Sequence, residues 1–196
     1  ERALAHHVGL SHVFKMVKTF RENDDKTPII LMGYANPIEA IGAGTFVERA
    51  KSSDVDGIIT VDYPPEECME FTKLLKEKNI DSIFLLSPTS ELDRVKLIIE
   101  QASGFLYYVS LKGVTGAANI DIEQVKSKVG MIRELTDLPI GVGFGVKDAA
   151  TAKEVAKISD AVVVGSRMVQ EIESSNKENL IQNISKLMKE LREAVN

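Results

Sequence analysis

The sequence has no tryptophan and only one cysteine, Cys68, in 196 residues. A single cysteine excludes an intramolecular disulfide and a cysteine-based metal cluster. No apolar run approaches the length that a membrane span needs, and Glu1-Arg2-Ala3-Leu4 is not a signal peptide. The formal net charge of -5 gives no general electrostatic attraction to nucleic acid or to an anionic membrane. These absences favour a cytoplasmic protein with no metal site and no nucleic-acid or membrane partner.

The remaining composition is that of an ordinary globular enzyme. Hydrophobic residues make up 44% of the chain and charged residues 27%. A chain of this length can bury a sizeable core, and it contains no low-complexity segment or linker. We therefore expect residues 1–196 to form a single domain.

Short apolar runs alternate with longer amphipathic stretches along the chain. Six runs are apolar on both faces, which is typical of parallel strands covered by helices: Pro28–Met32, Gly57–Val61, Ser82–Leu86, Phe105–Val109, Ile140–Val142 and Ala161–Val164. Helix start signals at Ser11, Thr45, Ser90 and Asp121 precede the stretches His12–Arg21, Phe46–Lys51, Val95–Gln101 and Val125–Leu135. Pro64-Pro65-Glu66-Glu67 predicts another helix start, and Asn176–Val195 predicts a closing helix. The pattern predicts six βα units.

Glycines cluster where three of the predicted strands end. Gly113 and Gly116 follow one strand, Gly143 and Gly145 follow the next, and Gly165 precedes Ser166 after the last. Backbone N–H groups left bare by glycine, together with helix N-termini, form anion sites. In a TIM (β/α)₈ barrel the phosphate site follows strands seven and eight. We therefore expect an α/β protein carrying six of the eight βα units of such a barrel, with two strands missing before Glu1. The alternative is that these glycines only form tight turns.

Five motifs, in this order and at these spacings, resemble the α subunit of tryptophan synthase. They are Tyr34-Ala35-Asn36, Val61-Asp62-Tyr63-Pro64, Gly113-Val114-Thr115-Gly116, Gly143-Phe144-Gly145 and Gly165-Ser166. The resemblance runs from the first residue to about Glu173 and more loosely through the last helix. It implies a lyase of tryptophan biosynthesis that cleaves indole-3-glycerol phosphate to indole and glyceraldehyde 3-phosphate by a retro-aldol step. It also implies no cofactor of its own, and an α2β2 heterotetramer with a β subunit that carries pyridoxal phosphate.

The resemblance also assigns site residues one by one. It implies a phosphate site made of Gly116, Gly143, Phe144, Gly145, Gly165 and Ser166. It implies an indole pocket made of Met32, Tyr34, Ile59 and Leu85. It also implies a lid with Gly113 and Thr115 and a partner interface with Asn36, Asp62 and Pro64. Tyr107 matches a tyrosine near the reacting centre. Without the resemblance, the two tyrosines, Tyr34 and Tyr107, and the three apolar pocket residues are also typical of packing positions. Asp62 is also typical of an N-cap for a helix that begins near Pro64. Tyr63 departs from the family, which often has a small apolar residue there.

The acid and base of the reaction are not among these residues. The resemblance places a catalytic glutamate and aspartate in Glu-Leu-Gly and Pro-Phe-Ser-Asp-Pro segments, which this sequence does not contain. We therefore expect the 196-residue chain alone to be inactive. Two alternatives are another phosphate-binding barrel, an isomerase or synthase of the same pathway, and a noncatalytic fragment that retains phosphate and partner binding.

Overall fold

The computed structural model describes residues 5–110, 121–143 and 145–196. The chain divides into two compact units, a first unit of Glu1–Phe84 with Glu100–Gly104 and a second unit of Leu85–Ile99 with Phe105–Asn196. The single domain expected above stays a prediction. No helix in the described ranges is both long and apolar enough to cross a membrane.

The first unit is a parallel sheet with helices between its strands. Its elements are α1 (Leu10–Arg21), β1 (Ile30–Gly33), α2 (Ala35–Ile41), α3 (Ala43–Lys51), β2 (Gly57–Thr60), α4 (Met69–Glu77) and β3 (Asp81–Leu86), whose last two residues belong to the second unit. β1 pairs with β2 and β2 with β3, all parallel. The core of this unit contains three aromatic rings, with the centroid of Phe46 lying 5.7 Å from that of Phe14 and 6.0 Å from that of Phe71.

The second unit repeats the same alternation. Its elements are most of α5 (Leu92–Gln101), β4 (Leu106–Val109), α6 (Ile122–Arg133), β5 (Ile140–Gly143), α7 (Ala149–Ala156), β6 (Ala161–Val163), α8 (Ser166–Ser174) and α9 (Leu180–Val195). β4 pairs with β5 and β5 with β6, again parallel. Leu106, Ile140 and Val142 are completely buried, as expected for strands covered on both faces.

All six predicted strands are confirmed, and every boundary lies within two residues of the predicted one. Four runs bury nearly every residue, including Gly57–Ile59 and the whole of β5. Burial on both faces explains why these four runs are apolar throughout. β1 and β6 differ from the expectation, because their residues are only partly buried or exposed among the described residues.

The helix starts were predicted less well than the strands. Asp121 is confirmed as an N-cap because its carboxylate accepts the N–H of Gln124 at 3.2 Å. Ser11 and Thr45 were wrong as caps, because α1 begins at Leu10 after Gly9 and α3 begins at Ala43 after Gly42. Both side chains therefore lie inside helices, where the backbone no longer has the extended conformation that an N-cap requires.

The helix predicted to begin near Pro64 begins instead at Met69. The carbonyl of Pro64 accepts the N–H groups of Glu67 and Cys68, which closes a single turn. The next carbonyl, that of Pro65, accepts the side-chain amide of Gln101 at 2.8 Å. That carbonyl thus accepts a bond from a side chain distant in the sequence, and the regular helix begins only at Met69. The expected closing helix is confirmed as α9, with Leu187 and Leu191 buried.

Candidate functional site

Three strands of the second unit end at the same level. Val109 of β4 is paired with Gly143 of β5, and Gly143 is paired with Val163 of β6. Parallel strands place the loops that follow them at one edge of the sheet. The structure therefore brings together the loop that begins at Gly143 and the turn at Gly165 and Ser166, as the sequence predicted.

Two glycines of the first loop have structural reasons to be glycine. A Cβ atom at Gly143 would lie 2.5 Å from the hydroxyl oxygen of Tyr107 and 2.9 Å from Cβ of Val163. Gly145 has φ of 79°, a left-handed conformation that favours glycine. The alternative of a tight turn is thus sufficient for Gly145, whereas Gly143 is explained by the packing of Tyr107 and Val163 against it.

Gly165 is different because no contact within the described residues explains it. Its φ is -108°, which any residue adopts, and a Cβ atom there would meet no atom of the described residues within 4 Å. The space beside it is therefore open at the N-terminus of α8, whose first residue is the exposed Ser166. The N-terminus of a nine-residue helix beside bare backbone is suited to an anion.

Four of the predicted site residues lie outside the described residues. They are Gly113, Thr115, Gly116 and Phe144. The lid role of the first two and the phosphate contacts of the other two stay predictions.

Tyr107 lies on β4 with its ring buried against the start of the glycine loop. Burial raises the pKa of its phenol. The hydroxyl therefore stays protonated at physiological pH, and its oxygen is close to Gly143. The structure thus places Tyr107 beside the candidate phosphate loop.

Ser110 is a residue of this site that the sequence analysis missed. It is buried directly after β4, and its hydroxyl donates to the carbonyl of Gly143 at 2.8 Å. Its backbone N–H donates to the same carbonyl at 3.0 Å. A serine after an apolar strand is common in any protein, so nothing in the sequence marked it.

The predicted indole-pocket residues are only partly brought together. In the first unit, Met32 and Tyr34 line an apolar cavity of about 110 Å³ with Leu10, Val13, Ile38 and Phe46 among its walls. Ile59 is buried and does not line that cavity. Leu85 belongs to the second unit and is half-buried. The four residues therefore stay a predicted set.

Asp62 lies in the loop directly after β2, and its side chain accepts a hydrogen bond from a different helix from the one expected. Its Oδ1 atom accepts the backbone N–H of Ala35, the first residue of α2, at 2.7 Å. The alternative role as a cap for a helix near Pro64 is wrong, because that helix begins at Met69. Asp62 and Asn36 are both exposed and Pro64 is half-buried, so the predicted interface residues lie at the surface of the first unit.

Tyr63, the residue that departs from the family, is tied to the same helix. Its hydroxyl donates to Oε1 of Glu39, and this hydrogen bond is the main cause that raises the pKa of Tyr63 to about 12. Its ring packs against Phe71, with centroids 6.1 Å apart. Two hydrogen bonds therefore hold the loop after β2 against α2.

No metal site is found within the described ranges, where no three His, Cys, Asp or Glu side chains are grouped to hold an ion. Two larger cavities, of about 460 and 450 Å³, contain none of the predicted site residues.

The sequence and structure match one family throughout. The sequence model of the tryptophan synthase alpha chain family matches residues 1–196. A tryptophan synthase alpha chain from Nitrosomonas europaea is 52% identical over 195 residues, which are 100% of this chain and 71% of that protein. A tryptophan synthase alpha chain from Janthinobacterium sp. is 53% identical over 195 residues, which are 100% of this chain and 74% of that protein.

Solved structures agree with the sequence relatives. Tryptophan synthase subunit alpha from Legionella pneumophila superposes with a TM-score of 0.89 at 36% identity, over 99% of this chain and 72% of that chain. A chain of the tryptophan synthase complex from Pyrococcus furiosus superposes with a TM-score of 0.85 at 32% identity, over 98% of this chain and 76% of that chain. The fold expected from the sequence, a (β/α)₈ barrel represented by six βα units, is confirmed by this similarity.

Proposed function

This chain belongs to the tryptophan synthase alpha chain family, and on that premise we propose that its second unit binds the phosphate group of indole-3-glycerol phosphate. The protein is a lyase of tryptophan biosynthesis, which cleaves that substrate to indole and glyceraldehyde 3-phosphate. The observation that carries the phosphate assignment is the open space at Gly165, at the N-terminus of α8.

The phosphate is held by backbone rather than by side-chain cations in this proposal. Gly143, Gly145, Gly165 and Ser166 lie on two loops that leave the same sheet edge. Exposed N–H groups at a helix N-terminus attract an anion through the helix dipole as well as through hydrogen bonds. The chain needs no basic surface for this purpose, which agrees with its net charge of -5.

The retro-aldol step needs an acid at C3 of the indole, a base for the glycerol hydroxyl and a partner for the ring N–H. Tyr107, a neutral phenol at the loop, positions the substrate near the reacting centre. We assign no acid or base within this chain. The resemblance predicts that both belong to a segment of the protein other than these 196 residues.

We propose that the partner is a tryptophan synthase β subunit in an α2β2 assembly, and that Asn36, Asp62 and Pro64 contact it. The support is a similar chain in a solved tryptophan synthase complex and the exposed position of Asp62 at the end of β2. The α subunit has no cofactor of its own in this proposal, since pyridoxal phosphate belongs to the partner. The cytoplasm is the proposed compartment.

The test uses the protein expressed from its full coding region, hereafter the full-length protein. Gly165→Leu fills the open space and removes backbone contacts to the anion. Charged hydrogen bonds of this kind contribute roughly 1.5–3 kcal/mol, so we expect KM for indole-3-glycerol phosphate to rise about 10- to 100-fold.

Gly130→Leu is the matched control. Gly130 lies in α6, and a Cβ atom there also meets nothing within 4 Å. The control should retain the wild-type KM. A Gly165→Leu protein with wild-type KM would place the phosphate elsewhere.

A further inference from the structure

We propose that Ser110 is a positioning residue for the substrate phosphate, which it orients through the carbonyl of Gly143. The inference rests on the phosphate site proposed above and adds to it a residue that makes no contact with the anion itself. It is carried by one buried side chain and by two hydrogen bonds that end on one carbonyl oxygen.

Two donors of Ser110 bind the carbonyl oxygen of Gly143. The backbone N–H of Ser110 donates to this oxygen at 3.0 Å, as the ladder of parallel strands requires at this position. The hydroxyl adds a second donor at 2.8 Å. A carbonyl oxygen has two lone pairs, and both are now engaged, so the group has little freedom to tilt.

The carbonyl of Gly143 is part of a rigid peptide group. A peptide group is planar, so a carbonyl that is held in direction holds the whole peptide group of which it is part. The peptide group after Gly143 is the first of the glycine loop. In this proposal Ser110 therefore fixes the direction of the Gly143 carbonyl at the end of β5.

Gly143 is also restrained by the packing of its neighbours. The hydroxyl oxygen of Tyr107 and Cβ of Val163 stand so near that no side chain fits at Gly143. Packing thus limits the position of the glycine, while Ser110 limits the rotation of its carbonyl. Anion binding by backbone depends on the direction of N–H groups, because a hydrogen bond weakens steeply as it bends.

The substitution Ser110→Ala removes the hydroxyl and leaves the backbone bond. In the full-length protein we expect it to weaken the binding of inorganic phosphate about tenfold by calorimetry and to raise KM for indole-3-glycerol phosphate by about the same factor. We expect kcat to stay within about twofold, and the affinity for the phosphate-free analogue indole-3-propanol to be unchanged. Ser110→Thr keeps the hydroxyl and should restore phosphate binding.

Ser53→Ala controls for loss of stability alone. Ser53 is also buried, and its hydroxyl donates to the carbonyl of Arg49 at 2.9 Å in the first unit. It should lower the urea midpoint as Ser110→Ala does, without changing phosphate affinity. If Ser110→Ala does not fold, the test compares Ser110→Thr with Ser110→Cys, whose thiol is a weaker donor of similar size. Equal phosphate affinity of these two variants would overturn the inference.

The outcomes separate this inference from the proposed function. Wild-type affinity for phosphate in Ser110→Ala would overturn the role of Ser110 and leave the phosphate site intact. Equal losses for phosphate and indole-3-propanol would also overturn it, because they indicate a general disturbance. A wild-type protein that binds no phosphate at this loop would overturn both.

Discussion

Arg21 should contribute more to stability than a comparable exposed ion pair of this protein, that of Arg133 with Asp160. It is the last residue of α1, and its side chain is only 10% exposed. The guanidinium donates to the carbonyls of Asp24, Thr27 and Asp54 and, at 2.5 Å, to Oδ2 of Asp56. It therefore joins the end of α1, the turn before β1 and the start of β2.

The magnitude of Arg21→Ala follows from these four contacts. Removing one partner of a buried ion pair costs about 3–5 kcal/mol. The side chain of Asp56 is 49% exposed, so water solvates its carboxylate after the change and the lower part of that range applies. We expect a loss of about 3 kcal/mol in the free energy of unfolding, the bonds to the carbonyls included.

The matched control is Arg133→Ala. Arg133 also ends a helix and pairs with an aspartate that precedes a strand, Asp160, at 3.0 Å. Its side chain is 45% exposed, and such pairs contribute about 0.2–1 kcal/mol. The two arginines thus occupy equivalent places in the fold with different burial.

The assay is urea unfolding of the full-length protein. With a slope of about 2–3 kcal/mol/M, Arg21→Ala should lower the midpoint by about 1 M and Arg133→Ala by less than about 0.5 M. Arg21→Lys keeps the charge but not the planar fork, and should fall between wild type and Arg21→Ala. Equal midpoints for the two alanine variants would refute the reasoning, since burial would then not decide the contribution.

Three further outcomes are expected. The N–H of Ile140, and after it Arg133, hold the pKa of Asp160 below its usual 3.8. The ionised carboxylate therefore stabilises the fold above that pH, and this contribution is lost as the pH falls through the lower pKa of the folded state. Asp160→Asn should make the free energy of unfolding less dependent on pH in that acid range, and an unchanged pH dependence in urea titrations would contradict this expectation. Asp62→Ala should weaken the binding and mutual activation of a β subunit by on the order of 2 kcal/mol while phosphate affinity stays at the wild-type value, and unchanged activation would limit Asp62 to its bond with Ala35. The 196-residue polypeptide by itself should release indole from indole-3-glycerol phosphate no faster than background, and turnover comparable with that of the full-length protein would show that an acid and base lie within it.

Local pattern was sufficient for the strands and for part of the site. A strand buried on both faces has to be apolar throughout, so β5 could be predicted from Ile140 onward. β6 was predicted from the same apolar pattern, although its residues are only partly buried or exposed in the described part of the chain. The glycines after these strands indicated the phosphate loops because glycine leaves backbone bare. The register then confirmed that both loops leave one edge.

Helix starts depend on more than the capping residue. Asp121 caps α6, while Ser11 and Thr45 lie inside helices that begin earlier. The start of α4 was displaced to Met69 where Gln101, 36 positions along the chain from Pro65, takes the carbonyl of that proline. No local rule contains that contact.

The sequence by itself determined the order of strands, the glycine loops and, through its motifs, the family. These features depend on residues that are neighbours in the chain, where hydrophobic period and backbone freedom act directly. Only the tertiary structure decided that Ser110 holds Gly143, that Asp62 holds Ala35 and that Arg21 holds Asp56. Each of these bonds joins residues 27 to 35 positions apart in the sequence. The parallel pairing of β4 with β5 brings Ser110 to Gly143, and the packing of α1 and α2 beside β2 brings Arg21 to Asp56 and Ala35 to Asp62.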